Sequence, residues 1–205
     1  GVQTCALPIF VSRQGEAGLP LMVVGIAEDI TDKKHMESEL QRLATTDVLT
    51  QSSNRRYFFD SAEAAFKECR REGIPLAFLL LDVDDFKKIN DVYGHQVGDV
   101  VLQRIAQCGA GALRRGDLFG RIGGEEFAVL LPGCDEQTAR QIGERLQREV
   151  QRLRFQEGEQ SFGITVSQGL TVLQADDEGL GALYSRADAA MYSAKRQGKD
   201  CIVVG

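Results

Sequence analysis

The sequence has little of several residue types on which common protein functions depend. It contains two histidines, His35 and His95, no tryptophan, and five cysteines without any Cys-x-x-Cys spacing. A histidine-based catalytic triad and a zinc site are therefore excluded as leading interpretations. Scattered cysteines in odd number are typical of free thiols in a reducing compartment, so we expect a cytoplasmic protein.

Charge and hydropathy exclude further classes. The net charge of −6 provides no basic surface, which argues against nucleic acid as a partner. No apolar run is long enough to span a membrane, and no signal peptide is evident. The length of 205 residues with 43% hydrophobic content suits one good-sized domain and a fragment of another. A sequence that begins at Gly1 without methionine is typical of a fragment or of a non-native leader.

A glycine pair between two apolar runs is the most informative stretch. Residues 117–122 and 127–131 have strand composition, and Gly123-Gly124 between them predicts a tight β-hairpin. Glu125 and Glu126 then lie at its tip, where glycines allow a ligand's phosphates to approach the backbone. Two carboxylates beside phosphate imply a divalent cation such as Mg²⁺. A solvated hairpin tip with two surface glutamates explains these residues equally well.

A second acidic position follows a buried strand. The apolar run 74–81 predicts a central strand, and Asp82 stands directly at its exit. A carboxylate at that place is costly unless a cation or a donor meets it, which favours a functional role for Asp82. Asp84 or Asp85 can instead be explained as the cap of a helix at 86–91.

The chain before residue 46 predicts one strand and one amphipathic helix. The strand is expected at 19–30 and the helix at 33–44, with Met36, Leu40 and Leu43 on one face. This short seam suits pairing with a second copy of itself. The pattern over about residues 18–44 is a strand, the sequence Asp-Ile-Thr-Asp and an amphipathic helix. It resembles the end of a PAS sensor module and the linker that follows it. We therefore assign 1–30 to a sensor remnant, 31–45 to a linker helix and 46–205 to a separate domain.

Patterns in the remaining chain predict further helices and strands. The expected helices cover about 57–72, after a polar turn at 46–56, and about 100–113, 135–153 and 180–197. Asp99 is by default the cap of the second of these helices. A strand over 162–172 is expected to carry a bulge at Gly169, and a short strand ends the chain at 201–204.

Four separated motifs together resemble the GGDEF family, the diguanylate cyclases, over residues 45–205. They are Asp47-x-Leu49-Thr50 with Asn54-Arg55-Arg56; Asp82-x-Asp84-x-Phe86-Lys87-x-x-Asn90-Asp91 with Gly94-His95-x-x-Gly98-Asp99; Gly123-Gly124-Glu125-Glu126-Phe127; and Ala187-Asp188-x-Ala190-x-Tyr192-x-Ala194-Lys195 with Gly198-Lys199. The resemblance implies an α+β fold with a mainly antiparallel central sheet flanked by helices. It also implies that two GTP molecules are condensed into cyclic di-GMP by two facing domains.

The resemblance assigns roles to particular residues. Asp82, Glu125 and the carbonyl of Val83 would hold Mg²⁺, or Mn²⁺, on the triphosphate of GTP. Glu126 would be a second carboxylate there, as ligand or base. The residues implied to contact the substrate are Asn90 and Asp99 at the guanine, Lys87, Lys195 and Lys199 at the phosphates, and Leu49, Phe86, Gly123 and Gly124 around the nucleotide.

An inhibitory site is also implied by the family spacing. Arg114-x-x-Asp117 lies five residues before Gly123, and Arg145 falls where the family places a second arginine. Cyclic di-GMP bound there would hold two domains apart. Without that spacing, an arginine pair at a helix end is simply a complement of the helix dipole.

The sequence departs from the family pattern at two places. Gln51-Ser52-Ser53 replaces the usual Gly-Leu, often followed by Pro, and this alters the turn beside the guanine pocket. Lys199 replaces the usual arginine, which keeps the charge but loses bidentate geometry. The alternative function is a catalytically weak domain that acts as a receptor for cyclic di-GMP or GTP. A purely structural dimerisation module is the third hypothesis, and it leaves Asp82 without a partner.

Overall fold

The computed structural model describes residues 31–205, so the strand and sensor remnant expected within 1–30 lie outside the described residues. The chain divides into two units, Gly1–Arg42 and Leu43–Gly205. Helix α1 (Thr31–Thr45) contains the predicted linker helix and has no buried residue. Its apolar side chains, Met36, Leu40 and Leu43, are exposed.

The second unit contains a five-stranded sheet in the order β2-β3-β1-β6-β7. All neighbouring pairs in this sheet are antiparallel except β6–β7, which confirms the expected mainly antiparallel α+β fold. The elements are α2 (Arg55–Glu72), β1 (Leu76–Val83), α3 (Phe86–Tyr93), α4 (His95–Ala112), β2 (Leu118–Arg121), β3 (Glu126–Pro132), α5 (Glu136–Arg152), β4 (Phe155–Glu157), β5 (Gln160–Phe162), β6 (Val166–Val172), α6 (Leu180–Arg196) and β7 (Ile202–Val204). Strands β4 and β5 form a separate hairpin.

Strand β1 is central, and all eight of its residues are buried, as the apolar run predicts. Successive side chains point to opposite faces of a strand. Accordingly, Leu79 and Leu81 belong to a core formed with α4 and α5. Phe78 and Leu80 belong to a second core formed with α2 and α6. Helices therefore cover both faces of the sheet, and the end of β1 at Asp82 lies between them.

Helix boundaries agree with the sequence at some ends and differ at others. Asn54 caps α2, and Gly73 ends that helix at φ 66°. Asp85 occupies the position before α3, but its side chain makes no capping hydrogen bond, so that prediction is wrong for Asp85. The capping prediction is also wrong for Asp99, because α4 begins at His95 and Asp99 lies inside it.

Asp84 is not a helix cap either. Its carboxylate is buried and accepts hydrogen bonds from the hydroxyls of Thr165 and Ser167, both at 2.6 Å. The backbone N–H of Asp200 donates to the same carboxylate at 3.1 Å. Asp84 therefore joins the end of β1 to β6 and to the turn before β7.

The bulge predicted at Gly169 does not form. Gly169 pairs with Leu80 in a register that continues without interruption on both sides. A Cβ at this position would collide with the carbonyl oxygen of Ala187 in α6. The glycine is therefore needed because the strand and the helix approach closely.

A buried ion pair fastens α6 to the end of β6. Arg186 donates to both carboxylate oxygens of Asp177, with NH2 at 2.9 Å from Oδ2, and also to the carbonyl of Val172. The side chain of Asp177 is only 3% exposed. Its hydrogen bond with Arg186 lowers the pKa of Asp177 below its ordinary value.

This pair leads to a prediction for stability against pH. Because the pKa is lowered in the fold, the stabilisation is present above the unfolded pKa of about 4 and is lost as pH falls through the folded value. Asp177→Asn is expected to reduce the free energy of unfolding by about 2 kcal/mol at pH 7, since the partly exposed Arg186 loses its charged hydrogen-bond partner. Urea unfolding at pH 7 and at pH 3 measures both differences. The exposed neighbour Asp176 provides the control Asp176→Asn. If Asp177→Asn lost the same free energy of unfolding at pH 7 and at pH 3, the role of the Asp177–Arg186 pair would be contradicted.

Candidate functional site

The site begins with Asp82 at the end of the central strand. Asp82 is opposite Glu126 of β3 and Ser167 of β6 in the two registers. Its side chain is 8% exposed, and Oδ2 lies 2.8 Å from Nζ of Lys195 in α6. The predicted strand-end carboxylate is therefore buried, and it has a cationic partner.

The electrostatics at Asp82 favour an added cation. Burial raises the pKa of Asp82 to about 6, Lys195 opposes this rise, and the charges of Glu125 and Glu126 add to it. A raised pKa means that the contribution to stability is complete below the unfolded value and is lost as pH rises through about 6. Above that pH the fold contains buried negative charge, whose cost a bound cation would relieve.

The predicted hairpin joins β2 to β3, and arginines brace its tip. The N–H groups of Ile122 and Gly123 donate to the carbonyl of Glu126. Arg121 donates from NH2 to the carbonyl of Gly124 at 2.8 Å, and Arg55 donates to the carbonyl of Ile122 at 2.6 Å. These bonds fix the backbone on both sides of the acidic pair.

The opening motif is attached to the same hairpin. Oδ1 of Asp47 accepts from the backbone and the hydroxyl of Thr50 and, at 3.1 Å, from NH1 of Arg121. Gln51, which stands where the family usually has glycine, has a left-handed φ of 58°. The turn therefore accommodates a side chain at this position. However, residues other than glycine adopt left-handed φ values only at an energetic cost. The carbonyl of Leu49 accepts from Gln103 of α4 at 3.3 Å.

Two residues assigned to the nucleotide, Asn90 and Phe86, lie together at Gly98, where α3 meets α4. A Cβ on Gly98 would collide with Oδ1 of Asn90 and lie 3.2 Å from the ring of Phe86. Asp99 follows Gly98 in the chain and is exposed. Lys87 is exposed on α3. The chain therefore places the amide of Asn90 near the ring of Phe86, with the exposed Asp99 one residue after Gly98.

The two C-terminal lysines already have carboxylate partners. Lys195 pairs with Asp82, and Nζ of Lys199 lies 2.7 Å from Oδ2 of Asp85. Asp82 lies at the end of β1, and Asp85 follows that strand by two residues. The structure thus brings Lys195 and Lys199 to the acidic end of the central strand.

The three residues assigned to inhibition line one cavity of about 340 Å³. Asp117 accepts from the backbone N–H and, at 3.2 Å, from Nε of Arg114. Its carboxylate is almost fully buried, whereas the side chain of Arg114 is 60% exposed. Arg145 lines the same cavity and donates to the carbonyl of Ala112. The cavity thus combines two guanidinium groups with one carboxylate.

The donor set at Asp82 fits a magnesium ion that arrives with a phosphorylated substrate. Within residues 31–205, no group of three or more histidine, cysteine, aspartate or glutamate side chains is placed to hold a metal ion alone. Mg²⁺ characteristically uses one or two carboxylates together with substrate phosphates. Asp82 and Glu125 are such a pair, because the charge of Glu125 acts on Asp82 and the N–H of Val83 donates to the carbonyl of Glu125.

The fold and the site define an α+β domain whose central strand ends at an acidic hairpin. The family model described as "Diguanylate cyclase, GGDEF domain" matches residues 44–201. This chain belongs to the GGDEF family.

Named relatives and solved structures agree with this assignment. The chain is 36% identical over 181 residues to a diguanylate cyclase of Vibrio cholerae, covering 87% of this chain and 55% of that protein. It is 39% identical over 170 residues to the diguanylate cyclase DgcP of Pseudomonas aeruginosa, covering 83% of this chain and 25% of that protein. This chain therefore spans about half or less of the length of these relatives.

A crystal structure of the coiled coil and GGDEF domain of DgcB from Caulobacter crescentus, in complex with c-di-GMP, superposes with a TM-score of 0.80. It is 28% identical and covers 86% of this chain and 94% of that one. No helix within residues 31–205 is both long and apolar enough to cross a membrane.

Proposed function

We propose that this chain is a diguanylate cyclase that condenses two GTP molecules into cyclic di-GMP and two pyrophosphates across a homodimer. The observation that carries the proposal is the buried carboxylate of Asp82 beside the acidic pair of the hairpin. Asp82, Glu125 and Glu126 are all present, which favours catalysis over the alternative receptor function. The 3′-hydroxyl of each GTP attacks the α-phosphorus of the other, and the bond to pyrophosphate breaks.

Asp82, Glu125 and the carbonyl of Val83 would hold Mg²⁺, with Mn²⁺ as an alternative. When bound, such an ion lowers the pKa of the attacking hydroxyl and neutralises charge on the phosphoryl oxygens. Glu126 supplies a second carboxylate, either as a ligand or as the base that accepts the hydroxyl proton. The braced backbone at Gly123 and Gly124 keeps these groups in position, which is the main requirement for phosphoryl transfer.

One domain of this kind holds one GTP, so two domains must face each other. The exposed apolar side chains of Met36, Leu40 and Leu43 on α1 suit pairing with a second copy. We propose residues 31–45 as the dimerising linker, 46–205 as the catalytic domain and 1–30 as the end of a PAS sensor.

The proposal is tested by incubating the purified chain with GTP and Mg²⁺ and following cyclic di-GMP by chromatography. The rate per domain should rise with protein concentration, because two half-sites must meet. Binding of GTP or cyclic di-GMP without any product would favour the alternative receptor function. Product formed by strictly monomeric protein at high dilution would contradict the two-domain mechanism.

The base site leads to a prediction for specificity. Asn90 and Asp99 are proposed to hydrogen-bond the guanine edge, where the Asp99 carboxylate accepts from the N–H groups, with Phe86 and Leu49 beside the base. A site built around such groups rejects a base that leaves them unpaired. We expect Asp99→Ala to weaken GTP binding about 10-fold and to leave the weaker ATP binding unchanged. Calorimetry with both nucleotides measures this, with the exposed Asp91→Ala as control. Equal binding of ATP and GTP by the wild type would contradict a guanine site.

The cavity at Arg114 leads to a prediction for feedback. Guanidinium groups grip phosphate and stack on purines, and the carboxylate of Asp117 can accept from a guanine edge. We therefore propose that cyclic di-GMP binds Arg114, Asp117 and Arg145 and stops the reaction. In progress curves with added product, the wild type is expected to stall at micromolar-order concentrations, whereas Arg114→Ala continues. Arg115→Ala is the matched control. If added cyclic di-GMP inhibited neither the wild type nor Arg114→Ala, Arg114 and Asp117 would be ordinary surface charges without an inhibitory role.

A further inference from the structure

Asp85 occupies an unusual position between the central strand and α3. Its φ of 55° is left-handed, and its side chain does not cap the helix that follows. The carboxylate instead binds two ammonium groups, Nζ of Lys88 at 2.7 Å and Nζ of Lys199 at 2.7 Å. Asp85 therefore occupies a costly backbone conformation, and its carboxylate forms ion pairs with two lysines instead of capping α3.

The backbone that carries Lys199 is fixed. Lys199 and Asp200 both have left-handed φ values, 67° and 48°. Asp84 accepts the N–H of Asp200, and Gln147 and Gln151 donate to the Asp200 carboxylate at 2.9 and 2.8 Å. Residues in such conformations persist when the surroundings determine them in this way. Hence any rearrangement of Lys199 is confined to its flexible side chain.

The pair with Asp85 differs from the pair of Lys195 with Asp82. Asp82 is buried and is proposed to receive a cation when the nucleotide binds, which leaves Lys195 free for the phosphates. Asp85 and Lys199 are both more than a third exposed, at 40% and 38%. An exposed pair of this kind is weak, and its members can exchange partners at little cost. Lys88 already binds the other oxygen of Asp85, so Asp85 keeps one ammonium partner and gains water when Lys199 leaves.

We propose that Asp85 is an internal counter-ion that the nucleotide triphosphate must displace from Lys199, and that it thereby sets the affinity of this chain for its substrate. This inference rests on the proposed function. On binding, Lys199 turns from Asp85 to the phosphates, and Asp85 keeps Lys88. The residue weakens ground-state binding because the triphosphate competes with a carboxylate already in place.

The opposite reading is that Asp85 is a clamp that aims Lys199 at the phosphates. The two readings predict effects of opposite sign. If Asp85 competes, then Asp85→Asn lowers Kd for the triphosphate about 2- to 5-fold, the amount that corresponds to an exposed ion pair. If Asp85 is a clamp, the same substitution raises Kd.

The experiment is calorimetry with Mg²⁺ and an α,β-methylene analogue of GTP, whose bridging carbon prevents release of pyrophosphate. Asp60→Asn on α2 is the control, because it removes the same charge from an exposed position and is expected to leave Kd unchanged. Combining Asp85→Asn with Lys199→Met completes a double-mutant cycle. The gain should vanish in the Lys199→Met background, since the competing pair no longer exists.

Inorganic triphosphate is the second probe, because the proposed exchange involves phosphates and not the base. Its Kd is expected to fall by a similar factor in Asp85→Asn. An unchanged or raised Kd in a variant that still forms product would overturn the inference and leave the proposed function standing. A wild type that binds neither probe would overturn both.

Discussion

Replacing Glu125 with glutamine is expected to reduce cyclic di-GMP formation at least about 100-fold, comparable to the loss of one strong transition-state contact. The substitution keeps the shape of the side chain but removes the charge that faces Asp82. The free energy of unfolding should stay within about 0.5 kcal/mol of the wild type, because the side chain is only partly buried. The backbone carbonyl that accepts the N–H of Val83 is also retained.

Chromatography of the product and urea unfolding of the same preparations measure the two halves of this expectation. Glu178→Gln is the matched control, since Glu178 is an exposed glutamate between β6 and α6. It should turn over GTP like the wild type. Near-normal turnover by the Glu125 variant would remove this residue from the mechanism, and a large loss of stability would show that the hairpin tip is structural.

Gly169→Ala is expected to destabilise the domain by about 3 kcal/mol, the upper part of the usual range for overpacking. The added Cβ would lie 2.5 Å from the backbone nitrogen of Met191 as well as colliding with Ala187. Both contacts are with helix backbone, so neither side can move aside as a flexible side chain would. Urea unfolding gives the difference directly.

Gly181→Ala, in the first turn of α6, makes a control with the same chemical change. No atom lies within 4 Å of a Cβ there, and alanine favours helix over glycine by up to about 1 kcal/mol. This variant should therefore be slightly more stable than the wild type. A Gly169→Ala protein as stable as the wild type would mean that the strand and helix can separate without cost.

The parts of the fold that follow from local pattern could be predicted. The apolar run of β1, the hairpin at Gly123-Gly124 and the end of α2 before Gly73 each depend on residues within a few positions of one another. The error at Gly169 has a different origin, because its cause is α6, which lies some 20 residues further along the chain. Strand β4 was missed because Phe155 is the one buried residue in its three positions, which gives no period to detect.

The four cysteines of the described residues are free thiols, as their spacing predicts.

In the functional site, the sequence identified the candidate residues but not the residues that they contact. The brace between Asp47 and Arg121 joins positions 74 apart, and no local pattern relates them. The only sequence signal for this contact was that Arg121 lies directly beside the hairpin at Gly123-Gly124. Likewise, the sequence explains Lys199 as a charge at the end of a helix, and only the fold shows its contact with Asp85.

The two edge strands of the sheet, β2 and β7, affect the tendency of this protein to aggregate at high concentration. At one side β7 has only three residues, and at the other Ser53 hydrogen-bonds with Phe119 and Arg121 along the outer side of β2. An incoming strand of another molecule therefore finds few unpaired backbone groups on which to extend the sheet. The domain is thereby protected from edge-to-edge aggregation, so the proposed encounters between two copies can remain reversible.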